Sequence, residues 1–347
     1  MSGTWTSQNK ILPGAYVNFL TNAPLSITPG DRGITVILQE MSVGTASDLY
    51  TVTAKTNNYP SGVTAADKRM VNEALKGAQT VLVYNLGTAH TAAIVTEALA
   101  KLKTVQFNTL CYPYDGTSYA ANKASIVTWV EAQRNEEGLK LQAVLANHTA
   151  DKESIINVAN GVVLSDGTTL TAAEATAWVA GVTAGANIYQ SNTGKLYQDA
   201  VDISPRMTKT EMEAAIAAGK FIFKVDSAQN VSAVYDINSM TTVTADKGEL
   251  FKKNRVIRTI DGINNDIVAI FEAGYIGKVN NNSDGRSLLR ASLIEYFNEL
   301  QRLSAIQNFV VEDVTVSAGI DSDAVVISCY IQPVDSVEKI YITVNLA

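Results

Sequence analysis

Between residues 65 and 185, short β-branched runs alternate with stretches whose apolar positions recur at helical spacing. Thr80-Val81-Leu82-Val83-Tyr84 reads as a buried strand, and after Gly87 a helix runs through Lys101. The order then repeats, with strands over 107–112, 139–146 and 161–164 and helices over 119–134, 152–159 and 171–184. Such alternation predicts an α/β layer with mostly parallel strands. A strand over 34–38 precedes this layer. A strand near Val201, a helix over 209–218 and a hairpin-like pair around 221–225 and 231–235 follow it.

The last third has a different pattern. Val256, Ile260, Ile263, Ile267 and Ile270 predict a helix over 248–273. The loop 280–285 breaks the chain, with Ser283 as N-cap of a second long helix striped by Leu289, Leu293, Tyr296, Leu300 and Leu303. Three strands are predicted around 309–317, 324–332 and 338–346. The last puts Ile340, Ile342, Val344 and Leu346 on one face and Lys339, Tyr341, Thr343 and Asn345 on the other.

Residues 1–32 are predicted to be extended and irregular, punctuated by Pro13-Gly14, Pro24 and Pro29-Gly30, with a short strand over 15–19. They carry Trp5, Ile11, Leu12, Tyr16, Val17 and Phe19, more apolar content than a disordered tail keeps. The chain also finishes inside a strand-like run. Unpaired strands invite pairing with another chain. Either both end strands pair within their own subunit, or they are exchanged between subunits and build a polymer.

The chain has 347 residues, long enough for two domains or for one with a large insertion. With 46% apolar and 18% charged residues it is a globular chain, and its net charge of −7 gives no footprint for wrapping nucleic acid. No signal peptide and no membrane-spanning run is read. Two histidines and two cysteines exclude a zinc-finger array or a disulfide scaffold. Cys111 and Cys329 sit in apolar, strand-like stretches and are expected buried and reduced.

Little catalytic chemistry is legible. No G-x-G-x-x-G or phosphate-binding loop is present, and Thr193-Gly194-Lys195 and Gly277-Lys278-Val279 lack the residues one needs. The turn from Gly87 to His90 could present amides to a phosphate, but reads better as a tight βα turn. His90 and His148 could serve as general bases at the carboxyl edge of a parallel sheet. No nucleophile elbow accompanies them, Asp151 is near His148 in sequence alone, and solvent-facing loop histidines are the expectation. Asn280, Asn282, Asp284 and Gly285 imitate a calcium loop, but Ala291 stands where a bidentate Glu is needed, so the loop reads as a helix cap. Asp313, Asp321, Asp323 and Asp335 are read as solvated turns. The basic run Lys247, Lys252, Lys253, Arg255 and Arg258 does not form one helical stripe. It is either a solvated helix end or a surface that docks an acidic protein.

Several phrases in the last third share an order that resembles contractile-tail sheath proteins. They are Asn254-Arg255-Val256-Ile257-Arg258-Thr259-Ile260-Asp261-Gly262-Ile263, Tyr275-Ile276-Gly277-Lys278-Val279, Asp284-Gly285-Arg286 and Ile306-Gln307-Asn308-Phe309. The ending Ile331-Gln332-Pro333-Val334-Asp335, followed by Val337-Glu338-Lys339-Ile340-Tyr341-Ile342, belongs to the same set. The front segment Ile11-Leu12-Pro13-Gly14-Ala15-Tyr16-Val17-Asn18-Phe19 looks like the family's beginning. The nearest resemblance is to compact sheaths of Gram-positive myophages, defective prophages and diffocin-type bacteriocin particles. It covers about 100 residues at the C-terminus and about 20 at the N-terminus.

The resemblance implies an α/β chain with four parts: an N-terminal arm and hinge (1–32), an outer α/β layered domain (33–245), an inner tube-facing α+β sheath domain (246–332), and a C-terminal linker and exchanged strand (333–347). It implies homo-hexameric rings stacked in a helical polymer around an inner tail tube protein, ended by baseplate and tail terminator proteins. The polymer would contract to drive the tube through a cell envelope. Ile11, Leu12, Tyr16, Val17 and Phe19 would lie in one subunit interface, and Ile340, Tyr341, Ile342, Val344 and Leu346 in another. Lys252, Lys253, Arg255, Arg258, Arg286 and Arg290 would face the tube. Neither catalysis, cofactor, nucleic acid nor membrane insertion is implied. The setting would be a virion tail or bacteriocin particle, assembled in the host cytoplasm and released by lysis. A non-contractile shell or surface-layer subunit is the alternative, followed by an α/β enzyme with a small ligand near Gly87 and His90.

Overall fold

A computed structural model describes residues 32–344. The expected contacts at Ile11, Leu12, Tyr16, Val17, Phe19 and Leu346 lie outside the described residues. Six early strands are β1 (Ile34–Gln39), β2 (Leu49–Thr53), β3 (Thr80–Asn85), β4 (Thr109–Tyr112), β5 (Gln142–Ala146) and β6 (Ile155–Val158). Then β7 (Gly161–Leu164), β8 (Thr169–Leu170) and β9 (Ala200–Ser204) form a separate antiparallel sheet, and β10 (Lys220–Phe221) returns to the first. The main sheet runs β10-β6-β5-β4-β1-β3-β2, parallel except for β2.

Alternation along the strands builds two apolar faces. Val36, Leu38, Leu110 and Leu145 face α2 (Ala92–Leu102) and α3 (Ala120–Asn135). Ile37, Val81, Val83 and Val144 face α1 (Ala65–Leu75) and α4 (Ala172–Gly185). The result is the expected α/β layer with mostly parallel strands, with helices on both faces of the sheet. α5 (Lys209–Ala217) lies outside it, mostly exposed.

Three local expectations change. The helix expected over 152–159 is instead β6, whose four residues are all buried in the sheet. Ile-Ile-Asn-Val is too short for periodicity to separate helix from strand, and its β-branched content decides. The strand over 161–164 exists, but belongs to the small antiparallel sheet. The cap of the second long helix is Asn282, whose Oδ1 accepts from Gly285 N at 2.8 Å, one residue before Ser283.

α1 and α4 touch at backbone distance. A Cβ added to Gly181 would lie 2.1 Å from the Ala74 carbonyl oxygen. Backbone on both sides leaves nothing to yield. We expect Gly181→Val to cost about 3 kcal/mol or more, read as a loss of melting temperature or of soluble chain.

The hairpin of β11 (Phe223–Val225) and β12 (Val231–Ala233) leads to α6 (Asn254–Gly274) and α7 (Ser283–Arg302). β13 (Ile306–Gln307), the hairpin of β14 (Val314–Ala318) and β15 (Val325–Cys329), and β16 (Gln332–Pro333) complete the fold. Leu293, Tyr296, Phe297, Leu300 and Phe309 form the third core. α6 is fixed to the α/β layers by Arg134, whose Nη1 and Nη2 donate to Asp261 at 2.6 and 2.8 Å. Asn265 also bonds the Lys140 backbone in both directions. Beyond β16, residues 334–344 carry no strand pairing, so the strand expected from 338 does not form within the described subunit.

Candidate assembly surface

The segment after β16 inverts the usual order of burial. Its apolar side chains are outside: Val337 is 84% exposed, Ile340 75%, Tyr341 90%, Ile342 79% and Val344 75%. Of its two acidic side chains, Glu338 is only 6% exposed and Asp335 31%. Glu338 Oε1 accepts from Thr193 Oγ1 at 2.6 Å, and Oε2 pairs with Lys253 Nζ. Lys253 also meets Asp335 at 3.3 Å and lies 4.1 Å from the centre of the Tyr235 ring. Burial alone would raise the Glu338 carboxyl, but hydrogen bonds from Lys253 and Thr193 outweigh it and hold it below the usual range. Asp335 is therefore an ion-pair partner and not a solvated turn.

The β14–β15 hairpin supplies the complementary feature. Among the described residues, β14 and β15 pair with each other and with no third strand. α7 packs under β14, while beside β15 lies a hollow lined by Phe271, Ile276, Leu289, Val325 and Ile327. An open strand edge next to an uncovered apolar hollow is a template for an added strand. Cys329, expected buried, is exposed at the end of β15. Cys111 is buried as expected, and burial pushes its thiol up to about 12.

The basic run divides. Arg258 is fully buried, with Nη2 donating to Asp236 Oδ2 and to the Gln190 carbonyl, both at 2.8 Å. Asp236 also accepts from Asn192 N and Asn254 Nδ2. Arg255 is 9% exposed and donates to the Ser304 carbonyl at 3.1 Å. Both therefore hold their own subunit together, and the expectation that they face a tube is corrected: counter-charge and carbonyls from distant segments draw them inward. Lys253 is committed to the Glu338 anchor, and Lys247 to Glu153 at 2.5 Å. Lys252 stays on the surface beside Glu249. Arg286 donates to Asn281 Oδ1 at 2.9 Å, and Arg290 to the Val314 and Val311 carbonyls.

The candidate enzyme residues are bound into separate local contacts. His90, expected to face solvent, is buried. Its Nδ1 lies 2.7 Å from Glu40 Oε1 and its Nε2 2.7 Å from Tyr112 OH. The rings of Tyr114 and Tyr119 stand 4.6 and 5.4 Å away. Turn amides are used internally, Gly87 N on Asn85 Oδ1 and His90 N on Glu40 Oε1. Two of the turn's four amides are therefore committed within the fold. Asp151 does not address His148 but accepts from Thr241 N and Thr242 N at 2.6 and 2.9 Å. Burial, then Lys123, lowers the affinity of His148 for a proton. Among the described residues no cluster of three metal-ligating side chains occurs, and no helix is long and apolar enough to cross a membrane.

Comparison with known proteins gives one consistent picture. A phage tail sheath protein central-domain model matches residues 88–239, and a phage tail sheath C-terminal-domain model matches 246–347. The chain is 37% identical over 219 residues to the tail sheath protein of Clostridium phage phiCD119, covering 63% of this chain and 60% of the relative. It is 36% identical over 260 residues to the phage-like element PBSX protein XkdK of Bacillus subtilis, covering 72% of this chain and 55% of the relative. The chain spans little more than half the length of the curated relatives it matches. A sheath tail protein from Desulfitobacterium hafniense superposes with a TM-score of 0.83 at 34% identity, over 95% of this chain and 99% of that one. The helical sheath of the anti-feeding prophage in its contracted state shares the fold, with a TM-score of 0.75 at 14% identity over 97% and 99%.

Proposed function

This chain belongs to the phage tail sheath protein family, and on that footing we propose that it polymerises as stacked hexameric rings around an inner tail tube and contracts to drive the tube through a cell envelope. The observation that carries the assembly reading is the exposed, alternating apolar face of Ile340, Ile342 and Val344 in a segment that has no strand partner among the described residues. We place its acceptor on the open edge of β15 in a second copy, where the hollow beside Val325 and Ile327 takes the alternate side chains. Donor and acceptor are different surfaces of one chain, so the contact is head-to-tail and propagates into a helix or ring. Each subunit then stays tied to its neighbours while its two packed parts turn as one body. The work of contraction comes from an extended lattice relaxing to one with more buried contact. No catalytic group is required. Of the basic residues, Lys252, Arg286 and Arg290 remain as the tube-facing set, and baseplate and tail terminator proteins close the two ends. The setting is a virion tail or a bacteriocin particle.

Negative-stain electron microscopy of particles containing this chain tests the proposal. Hollow cylinders of two lengths, the shorter one wider, are expected. Rigid cylinders of a single length under every trigger would favour a static shell.

A further inference from the structure

Of the residues between Val337 and Val344, only Glu338 turns inward, and it meets both packed parts of the subunit. Thr193 reaches it from the stretch between α4 and β9, and Lys253 from the start of α6. The contact continues inward, because Thr193 Oγ1 also accepts from Asp236 N at 2.9 Å, and Asp236 holds the buried Arg258. Ser336 Oγ adds a bond to Glu338 at 3.2 Å. The residues just beyond are exposed: Ile340 is 75%, Tyr341 90% and Ile342 79% open. An apolar contact could slide or rotate about its axis. A buried carboxylate held by an ammonium and a hydroxyl from different elements has one geometry.

We propose that the Glu338 carboxylate, clamped by Lys253 and Thr193, is a positioning site that sets where the exchanged strand leaves its subunit, and thereby fixes its reach and register on a second copy of this chain. The inference rests on the strand-exchange reading above. A tethered segment binds with an effective concentration set by its anchoring point. Releasing the anchor makes residues 334–338 part of a longer, looser tether and lowers that concentration. Glu338 also marks a boundary: residues before it belong to the subunit, and residues from Lys339 onward belong to the neighbour.

The test uses the full chain and four variants: Glu338→Gln, Glu338→Lys, Lys253→Glu, and the double charge swap Lys253→Glu with Glu338→Lys. Two quantities are read: the melting temperature of the unassembled subunit, and the critical concentration for polymer by sedimentation. The three single variants are expected to melt close to the parent and to raise the critical concentration by about tenfold. The swap is expected to recover most of that loss. Unchanged critical concentrations in the single variants overturn the inference. So does a parallel fall in melting temperature, which would make the clamp a folding contact. Failure of the swap to recover any assembly would also count against the pair, since it would assign the effect to side-chain shape. Removing residues 339–347 is the control for the underlying reading. If that truncation polymerises normally, strand exchange itself fails. If it abolishes polymer while Glu338→Gln assembles like the parent, exchange stands and the positioning role falls.

Discussion

Removal of residues 339–347 is expected to abolish polymer while leaving a folded subunit that melts within a few degrees of the full chain. The apolar side chains lost from the described part are Ile340, Tyr341, Ile342 and Val344, all at least 75% exposed in the isolated subunit. Their removal takes almost no apolar area out of the subunit's three cores. In a polymer the same side chains stand to gain about 1.5–3 kcal/mol each where burial is complete. Main-chain bonds to the β15 edge add about 0.5–1.5 kcal/mol apiece. Ordering the strand costs about 1–2 kcal/mol per residue and offsets much of this. Even a net loss of about 1.4 kcal/mol at each joint is tenfold in each equilibrium, and a helical lattice repeats the joint at every subunit. Sedimentation and a melting curve on the same sample separate the two outcomes. A large drop in melting temperature would place the strand in the subunit's own fold.

Arg258→Ala is expected to have the opposite signature, with a loss of about 3–5 kcal/mol of subunit stability. The guanidinium is fully buried, and its partner Asp236 is 1% exposed. Truncating one side leaves a carboxylate in the interior with only Asn192 N and Asn254 Nδ2 to compensate. The consequence spreads, because Asp236 also organises Thr193 and so the Glu338 anchor. Loss of the melting transition, or purification as aggregate, is the expected readout. A variant that melts like the parent and fails only to enclose a tube would return Arg258 to the inner surface. Charge reversal of the partly exposed Lys252, paired with exposed Glu249, should by contrast leave the melting temperature within a few degrees, since surface pairs are worth about 0–1 kcal/mol.

The difference between those two lysine and arginine positions shows where sequence reading stops. Apolar runs such as Thr80-Val81-Leu82-Val83-Tyr84 carry their structure with them, because β-branched content and length are local properties. The α/β layer and both long helices are therefore legible. The destination of a charged side chain is not local. Arg258 is interior because Asp236 and the Gln190 carbonyl arrive from other segments. His90 is buried because Glu40 lies fifty residues away in sequence and beside it in space. β6 fails for a different reason: a four-residue run with three apolar side chains fits either period, and a neighbouring strand decides.

The C-terminal strand is the instructive intermediate. Alternation at Ile340, Ile342 and Val344 marks it as strand-like, and the subunit leaves that face uncovered. Glu338 was invisible as an anchor, since a single carboxylate before an apolar run reads as a surface residue. Its only sequence signal is adjacency to the run whose departure it governs. The open edge of β15 was equally hidden. Strand predictions give edges no labels, and only the sheet topology shows that, among the described residues, this hairpin pairs with no third strand.

Strand exchange onto β15 can be caught covalently. Cys329 is exposed at the end of β15, on the face shared with Val325 and Ile327, whereas Cys111 is buried. Cysteines placed singly at Ile340, Ile342 and Val344 sample the inward face of the donated strand. Opposed residues of paired strands stand about 4.5–5.5 Å apart at Cα, within the roughly 4.4–6.8 Å a disulfide needs. Mild oxidation of assembled polymer is expected to give a series of covalent multimers on non-reducing gels for one of these three variants, and none for Tyr341→Cys on the opposite face. Multimers must form because each subunit donates one strand and accepts one. Polymer that assembles normally yet yields only monomer from all three variants would contradict the account.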